Sequence, residues 1–70
     1  MANYVKGKGI YVGQFNESDL QQGKDKVAVK QMMEKTGLKY TNTHVVKKGG
    51  VPVGLKIWVC TLDDFNPMKF

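Results

Sequence analysis

The chain contains no arginine, one cysteine and one histidine. A single cysteine cannot form an internal disulfide, which indicates a reducing compartment, and we expect a cytoplasmic protein. Zinc sites need about four ligands at close spacing, and the sequence has no such cluster, so we expect no metal and no cofactor. No apolar run has the length of a signal peptide or a membrane span, so we expect no membrane association.

Little chain is available for a large core or a deep pocket, because the protein has 70 residues. A chain of this length buries only about 60% of its unfolded surface, so we expect a homodimer in which a second copy completes the burial. Nucleophilic catalysis by Cys60 would need His44 and an orienting group beside it. The neighbouring carboxylates Asp63 and Asp64 would point apart. We therefore expect a protein that is not an enzyme.

An extended segment is predicted over residues 3–15, which are rich in Tyr, Val and Ile. Its three glycines favour a bulge, a bend or a close approach of two backbones. Simple alternation places Ile10 and Val12 on one face of this strand. Tyr11 and Phe15 would then lie on the other face.

Helical spacing follows a polar stretch at residues 16–23. Gly37 is placed as a left-handed C-terminal cap for a helix over residues 24–36. The S-x-x-Q order of residues 18–21 predicts a capping box. We favour a helical turn near residues 17–22 and a break at Gly23; the alternative is one longer helix that touches apolar surface on both sides. The residues that set the helical period are Val29, Met32, Met33 and Thr36.

Residues 39–62 predict a β-hairpin whose turn is Gly49-Gly50. Pro52 cannot donate to a strand ladder and belongs at a strand start or an edge. The second arm alternates with period two, which predicts one aliphatic face that meets the helix. The aliphatic residues are Val51, Val53, Leu55, Ile57 and Val59.

The hairpin register decides on which face His44 lies. A two-residue turn pairs Val46 with Val53 and places His44 opposite Leu55, on the aliphatic face. A three-residue loop pairs Val45 with Val53 instead and moves His44 to the face of Trp58. Both registers are compatible with the sequence.

These elements predict an α+β fold of the order strand, helix, strand, strand. One helix would cover one face of a three-stranded, antiparallel-rich sheet. We expect a single domain over residues 1–62 and a C-terminal tail over residues 63–70. Lys56, Trp58 and Cys60 would lie on the face that the helix leaves open.

The net charge of +5 comes entirely from an excess of lysine over acid. Such an excess favours polyanions through counterion release, and aromatic side chains among lysines on an open sheet face stack on unpaired bases. We therefore predict a small, non-catalytic nucleic-acid-binding protein that is single-strand or backbone-directed, since base-specific contacts are mostly made by Arg. The predicted phosphate contacts are Lys6, Lys8, Lys47, Lys48 and Lys56, and the predicted stacking residues are Tyr11 and Trp58.

Each of these features also has a plainer interpretation. The lysines can form an ordinary solvated surface, and residues 47–50 can be only a hairpin turn. Trp58 can pack under the tail or in a dimer interface, because so short a chain has few large side chains to leave exposed.

The C-terminal tail predicts an alternative function. Asp63, Asp64 and Phe65, followed by Phe70, resemble in chemistry the acidic, Phe-ended tails through which bacterial and phage single-strand binding proteins contact their partners, although Lys69 departs from the acidic pattern. In this alternative the protein is a small phage-type or mobile-element-type regulator or inhibitor. It would dock on a host or assembly protein through the open sheet face, a strand edge or this tail.

Overall fold

The computed structural model describes residues 4–66. Its elements are β1 (Ile10–Asn16), α1 (Glu17–Gln21), α2 (Lys24–Thr36), β2 (Tyr40–Lys48), β3 (Val51–Cys60) and a 3-10 turn (Leu62–Asp64). The strands form one antiparallel sheet in the order β1-β3-β2, and α2 lies against β1 and β3. The predicted α+β fold, with an open three-stranded sheet and one main helix, is confirmed.

The break between the helices is also confirmed, but the predicted capping box at residues 18–21 is wrong. Asn16 caps α1 instead: its side-chain oxygen accepts from the Asp19 backbone N–H at 2.8 Å, and the Asp19 carboxylate accepts from the Asn16 N–H at 3.2 Å. Asn16 ends β1 with extended dihedral angles, as an N-cap requires, whereas Ser18 already lies inside the first turn. Gly37 caps α2 in the left-handed conformation, as predicted.

The first strand is shorter than predicted and carries a bulge. The backbone turns back over residues 5–9, and the strand begins only at Ile10. Between Tyr11 and Gly13 the pairing with β3 shifts by one residue. The extra residue inverts the alternation beyond it, so Phe15 pairs with Leu55 on the aliphatic face. The prediction that Phe15 shares a face with Tyr11 is therefore wrong.

Neither predicted register of the hairpin is observed in full. Gly49 and Gly50 have φ values of 59° and 80° and form a two-residue turn, because residues with positive φ match the twist of the flanking strands. The pairing then shifts between Val46 and Lys47, opposite the segment that follows Pro52. Beyond this bulge His44 pairs with Lys56, which places it on the face of Trp58.

The core lies between the aliphatic face of the sheet and the helices. Ile57 and Val59 of β3 are 4% and 0% exposed, and Ile10 of β1 is 6% exposed. Val53 was predicted to join this core, but it lies at the bulge and is 38% exposed. The helices thus cover the aliphatic face. The other face, here called the open face, carries Trp58 and Lys56 of β3 and the residues that pair with them.

Candidate nucleic-acid interface

The two bulges align the side chains of the open face in rows across the sheet. Residues that lie directly opposite each other on antiparallel strands project to the same face. Trp58 of β3 pairs with a residue on each neighbouring strand, and so does Lys56. The resulting rows are Tyr11–Trp58–Asn42 and Gln14–Lys56–His44.

An N-terminal turn, residues 5–9, crosses the open face at the Cys60 end. It is closed by hydrogen bonds in both directions between Val5 and Gly9, at 2.9 and 2.8 Å. Gly9 lies so close to β3 that an added Cβ would be 2.1 Å from the Val59 carbonyl oxygen. On the far side of β3 the Lys8 carbonyl oxygen accepts from the Asn42 side chain of β2 at 2.9 Å. The turn therefore reaches over all three strands.

The C-terminal segment, residues 61–66, lies beside this turn. The Asn42 amide also donates to the Asp64 carbonyl oxygen, and its side-chain oxygen accepts from the Asn66 N–H, both at 2.8 Å. The Phe65 ring lies 5.5 Å from the ring of Tyr40 on β2. The Asp64 carboxylate accepts from the Tyr4 hydroxyl and from the Gly7 N–H. One asparagine and one aspartate thus tie both terminal segments to the sheet.

Cys60 is fully buried beneath these two segments although it belongs to the open face. Burial raises the pKa of its thiol, and the nearby negative charge of Asp64 raises it further. A buried thiol with a raised pKa is a poor nucleophile. His44, which a Cys60 nucleophile would need beside it, lies two rows away next to Lys56.

A pocket of about 340 Å³ opens next to the N-terminal turn. The half-buried indole of Trp58 forms part of its wall. The Tyr11 ring lies 5.4 Å from the Trp58 ring at an angle of 56°, and the Lys8 ammonium lies 6.0 Å from the indole centroid. The residues that line the pocket are Gly7, Lys8, Asn42, Thr43, His44, Lys56 and Trp58.

The cations of this pocket have no carboxylate partner in the part of the chain that the structure describes. Within residues 4–66 the one ion pair joins Lys24 to Asp19 at 3.6 Å, near the start of α2. Lys8 and Lys56 are therefore available to a ligand anion. A positive recess with an aromatic wall suits a ligand that carries both a negative charge and a flat ring.

The structure brings together four of the seven predicted nucleic-acid-binding residues: Lys8, Tyr11, Lys56 and Trp58. Lys6 lies in the N-terminal turn and is exposed. Lys47 and Lys48 lie at the hairpin end of the sheet. Val51, the partner of Lys48, is seven residues before Trp58 on β3, which is about 23 Å along a strand. These two lysines lie outside the pocket.

Among the predicted partner-binding residues, Asp63 is exposed, whereas Asp64 and Phe65 already make contacts within the chain. Phe70 lies outside the described residues. The division into residues 1–62 and a tail over 63–70 stays a prediction, as does docking through that tail. Asp64 and its neighbours nevertheless belong structurally to the end of the open face.

Sequence reasoning did not identify Asn42 and His44 as site residues. They are two positions apart on one strand, so they share a face whatever the register. That signal could have grouped them with each other. It could not place them beside Trp58, because the bulge that sets the register is formed by tertiary pairing.

Within residues 4–66, no three His, Cys, Asp or Glu side chains are grouped as a metal site would require. In the same range no helix has the length and apolarity of a membrane-spanning segment. Comparisons with protein-family models, with curated proteins and with solved structures find no match to this chain.

Proposed function

We propose that this protein binds single-stranded nucleic acid through the open face of its sheet and catalyses no reaction. The observation that carries the proposal is the grouping of Trp58 and Tyr11 with two lysines that have no carboxylate partner in residues 4–66. Base stacking on such aromatic rings contributes about 1–3 kcal/mol per base. Lysines beside the rings neutralise phosphates and release counterions.

The recessed indole favours an unpaired base over a duplex. Trp58 is half-buried beside the N-terminal turn, so only a base free of its own stack can reach its face. Tyr11 is 48% exposed at the edge of the sheet and offers a second stacking surface. Lys8 and Lys56 are the nearest phosphate partners, and Lys6 extends the positive charge along the N-terminal turn.

The site has few groups that could distinguish one base from another. The sequence has no arginine for bidentate contacts to guanine. Asn42, whose amide could read a base edge, already donates to two carbonyl oxygens and accepts from a backbone N–H. We therefore expect binding that depends on phosphate charge and base stacking and varies little with sequence.

A fluorescence titration tests this function directly, because Trp58 is the single tryptophan of the chain. We expect saturable quenching by a mixed-sequence single-stranded oligonucleotide. With about three phosphates neutralised, affinity should fall roughly 20-fold between about 50 mM and about 200 mM salt. An unchanged signal, with the indole accessible to a neutral quencher, would contradict the proposal.

Substitutions then separate stacking from charge. Trp58→Ala should weaken binding by about 1–3 kcal/mol, measured by anisotropy of a labelled oligonucleotide. Lys56→Ala should lower the slope of log affinity against log salt by about 0.7. Lys30→Ala is the matched control, since it removes the same charge from α2 on the other side of the sheet. Equal effects of the two lysine substitutions would exclude the open face as the binding surface.

The alternative of docking on a host protein is favoured by one feature, the strand edges. In the order β1-β3-β2 the nine-residue β2 has one side that pairs with no strand of the described chain, and such an edge can accept a strand from a partner. Capture of one partner that survives nuclease treatment would support this function. Loss of capture on deletion of residues 63–70 would assign the docking to the tail, whereas unchanged capture would exclude the tail and leave the strand edge as the docking surface.

A further inference from the structure

The pocket beside Trp58 is closed at one end. The N-terminal turn and the C-terminal segment together form an end wall, defined here as residues 5–9 and 61–66. It meets β3 at Gly9, and it is bonded to β2 through Asn42. The end wall therefore spans the width of the sheet just beyond the row that contains Trp58.

The next row of the open face lies beneath this wall. Cys60 has no exposed surface, and its partner Tyr40 is in ring contact with Phe65. A nucleic-acid strand that follows β3 over Lys56 and Trp58 meets the wall at Cys60. It ends there or leaves β3 sideways, toward the partly exposed ring of Tyr40 on β2.

The size of the pocket fits one nucleotide better than a run of them. Its volume of about 340 Å³ lies near the lower limit of small-ligand sites, which is about 300 Å³. Lys8 lies on the wall side of the indole, and Lys56 lies one row farther from the wall than Trp58. Cations thus flank the stacking ring along the direction in which a strand would approach.

We infer that the pocket binds the terminal nucleotide of a single strand. This inference rests on the proposed function. The terminal base stacks on Trp58, Lys8 binds the phosphate nearest the wall, and Lys56 binds the next phosphate along the chain. A terminal phosphate carries nearly twice the charge of an internal one, so a phosphorylated end should bind more tightly to Lys8.

A circular oligonucleotide provides the direct test because it has every internal nucleotide and no end. We would compete linear and circular single strands of the same sequence and length against a labelled linear strand. The linear strand should bind at least about tenfold more tightly, since the circle loses the terminal stack and its adjacent charge contact. Linear strands phosphorylated at the 5′ end or at the 3′ end identify which end is bound.

The outcomes separate this inference from the proposed function. Equal affinity of the circular and linear strands overturns the inference and leaves single-strand binding intact. Failure of both strands to compete or to quench Trp58 overturns both. A third outcome is that all linear strands, phosphorylated or not, bind equally and the circle binds weakly. The pocket then still binds the terminal base, but the assignment of the terminal phosphate to Lys8 is overturned.

A variant tests the part played by the end wall. Asn42→Ala removes the hydrogen bonds that join the wall to β2. We expect this variant to bind circular and linear strands with similar affinity while Trp58 is still quenched. If the folded variant still prefers the linear strand over the circular one as strongly as the unaltered chain does, the wall does not select the end. If circular dichroism shows that the variant is unfolded, the comparison of strands with the unaltered chain decides the inference alone.

Discussion

Gly9 is the residue at which the N-terminal turn comes closest to the sheet. Its φ is +113°, and an added Cβ would lie 2.1 Å from the Val59 carbonyl oxygen and 2.8 Å from Cys60 Cβ. Gly7 also has positive φ, +87°, but an added Cβ there meets nothing within 4 Å. Substitutions at these two glycines therefore separate the cost of backbone strain from the cost of steric contact.

We predict that Gly9→Ala destabilises the protein by about 3 kcal/mol, because strain and overpacking add. Gly7→Ala should cost about 1 kcal/mol from strain alone. Urea denaturation of both variants measures the difference. Equal losses of stability would mean that Gly9 does not approach β3 as closely as described.

Cys60 should react slowly in the folded protein. Its raised pKa means that the folded chain holds the thiol proton more tightly than the unfolded chain, whose ordinary value is 9.0. The stability that this provides is therefore fully present well below pH 9 and is lost as pH rises through the folded pKa. We predict slow alkylation by iodoacetamide at pH 8, with fast alkylation in denaturant as the reference. Equal rates would contradict the burial of this thiol.

At the scale of elements, the short helix α1 depends on its cap. Asn16→Ala removes the side-chain bond to the Asp19 N–H and should cost about 1 kcal/mol. Ser18→Ala is the matched control, because Ser18 lies inside α1 and its hydroxyl accepts from the Gln22 side chain rather than from a backbone N–H of the helix start. We expect its effect on the denaturation midpoint to be the smaller one. A larger effect of Ser18→Ala would favour the capping box that the sequence pattern indicates.

The two bulges affect the candidate site more than the helix cap does, because they decide which side chains share a face. Without the irregularity near Val12, Phe15 would share the face of Tyr11. Without the one beside Pro52, a two-residue turn would bring His44 to the aliphatic face. Each bulge inverts the alternation of one outer strand against β3. Together they keep Phe15 in the aliphatic layer and His44 beside Lys56.

For the molecule as a whole, Asp64 joins the two ends of the described chain. Its carboxylate bonds Tyr4 and Gly7, and its carbonyl oxygen bonds Asn42. We predict that Asp64→Ala lowers the free energy of unfolding by about 1–2 kcal/mol through loss of these side-chain bonds. Asp63→Ala removes the same charge from an exposed neighbour and should leave stability nearly unchanged.

Denaturation of the two aspartate variants at the same salt concentration measures this difference. If both variants lose the same stability, net charge rather than the bonds of Asp64 is responsible.

The expected homodimer stays a prediction at this scale. Sedimentation of the intact chain would test it, with the strand edges of β1 and β2 as the surfaces available for pairing.

Local patterns in the sequence were sufficient for most of the fold. The aliphatic alternation of β3 and the helical period from Val29 to Thr36 depend on burial against a neighbouring layer, which is visible in the residue order. The break at Gly23 and the turn at Gly49-Gly50 depend on backbone preferences of single residues. The capping residue was missed because Asn16 both ends a strand and begins a helix.

The sequence by itself determined the α+β fold, the aliphatic face of the sheet, and the presence of Trp58 and Lys56 on the other face. Only the tertiary structure decided which side chains join them. Lys8 reaches Trp58 because the N-terminal turn brings it there, and Tyr11 because β1 pairs with β3 at that position. Asn42 and His44 follow from a shift in strand pairing. The physical reason is that period-two patterns assign a residue to a face, whereas bulges and close backbone approaches arise from contacts between segments distant in the chain.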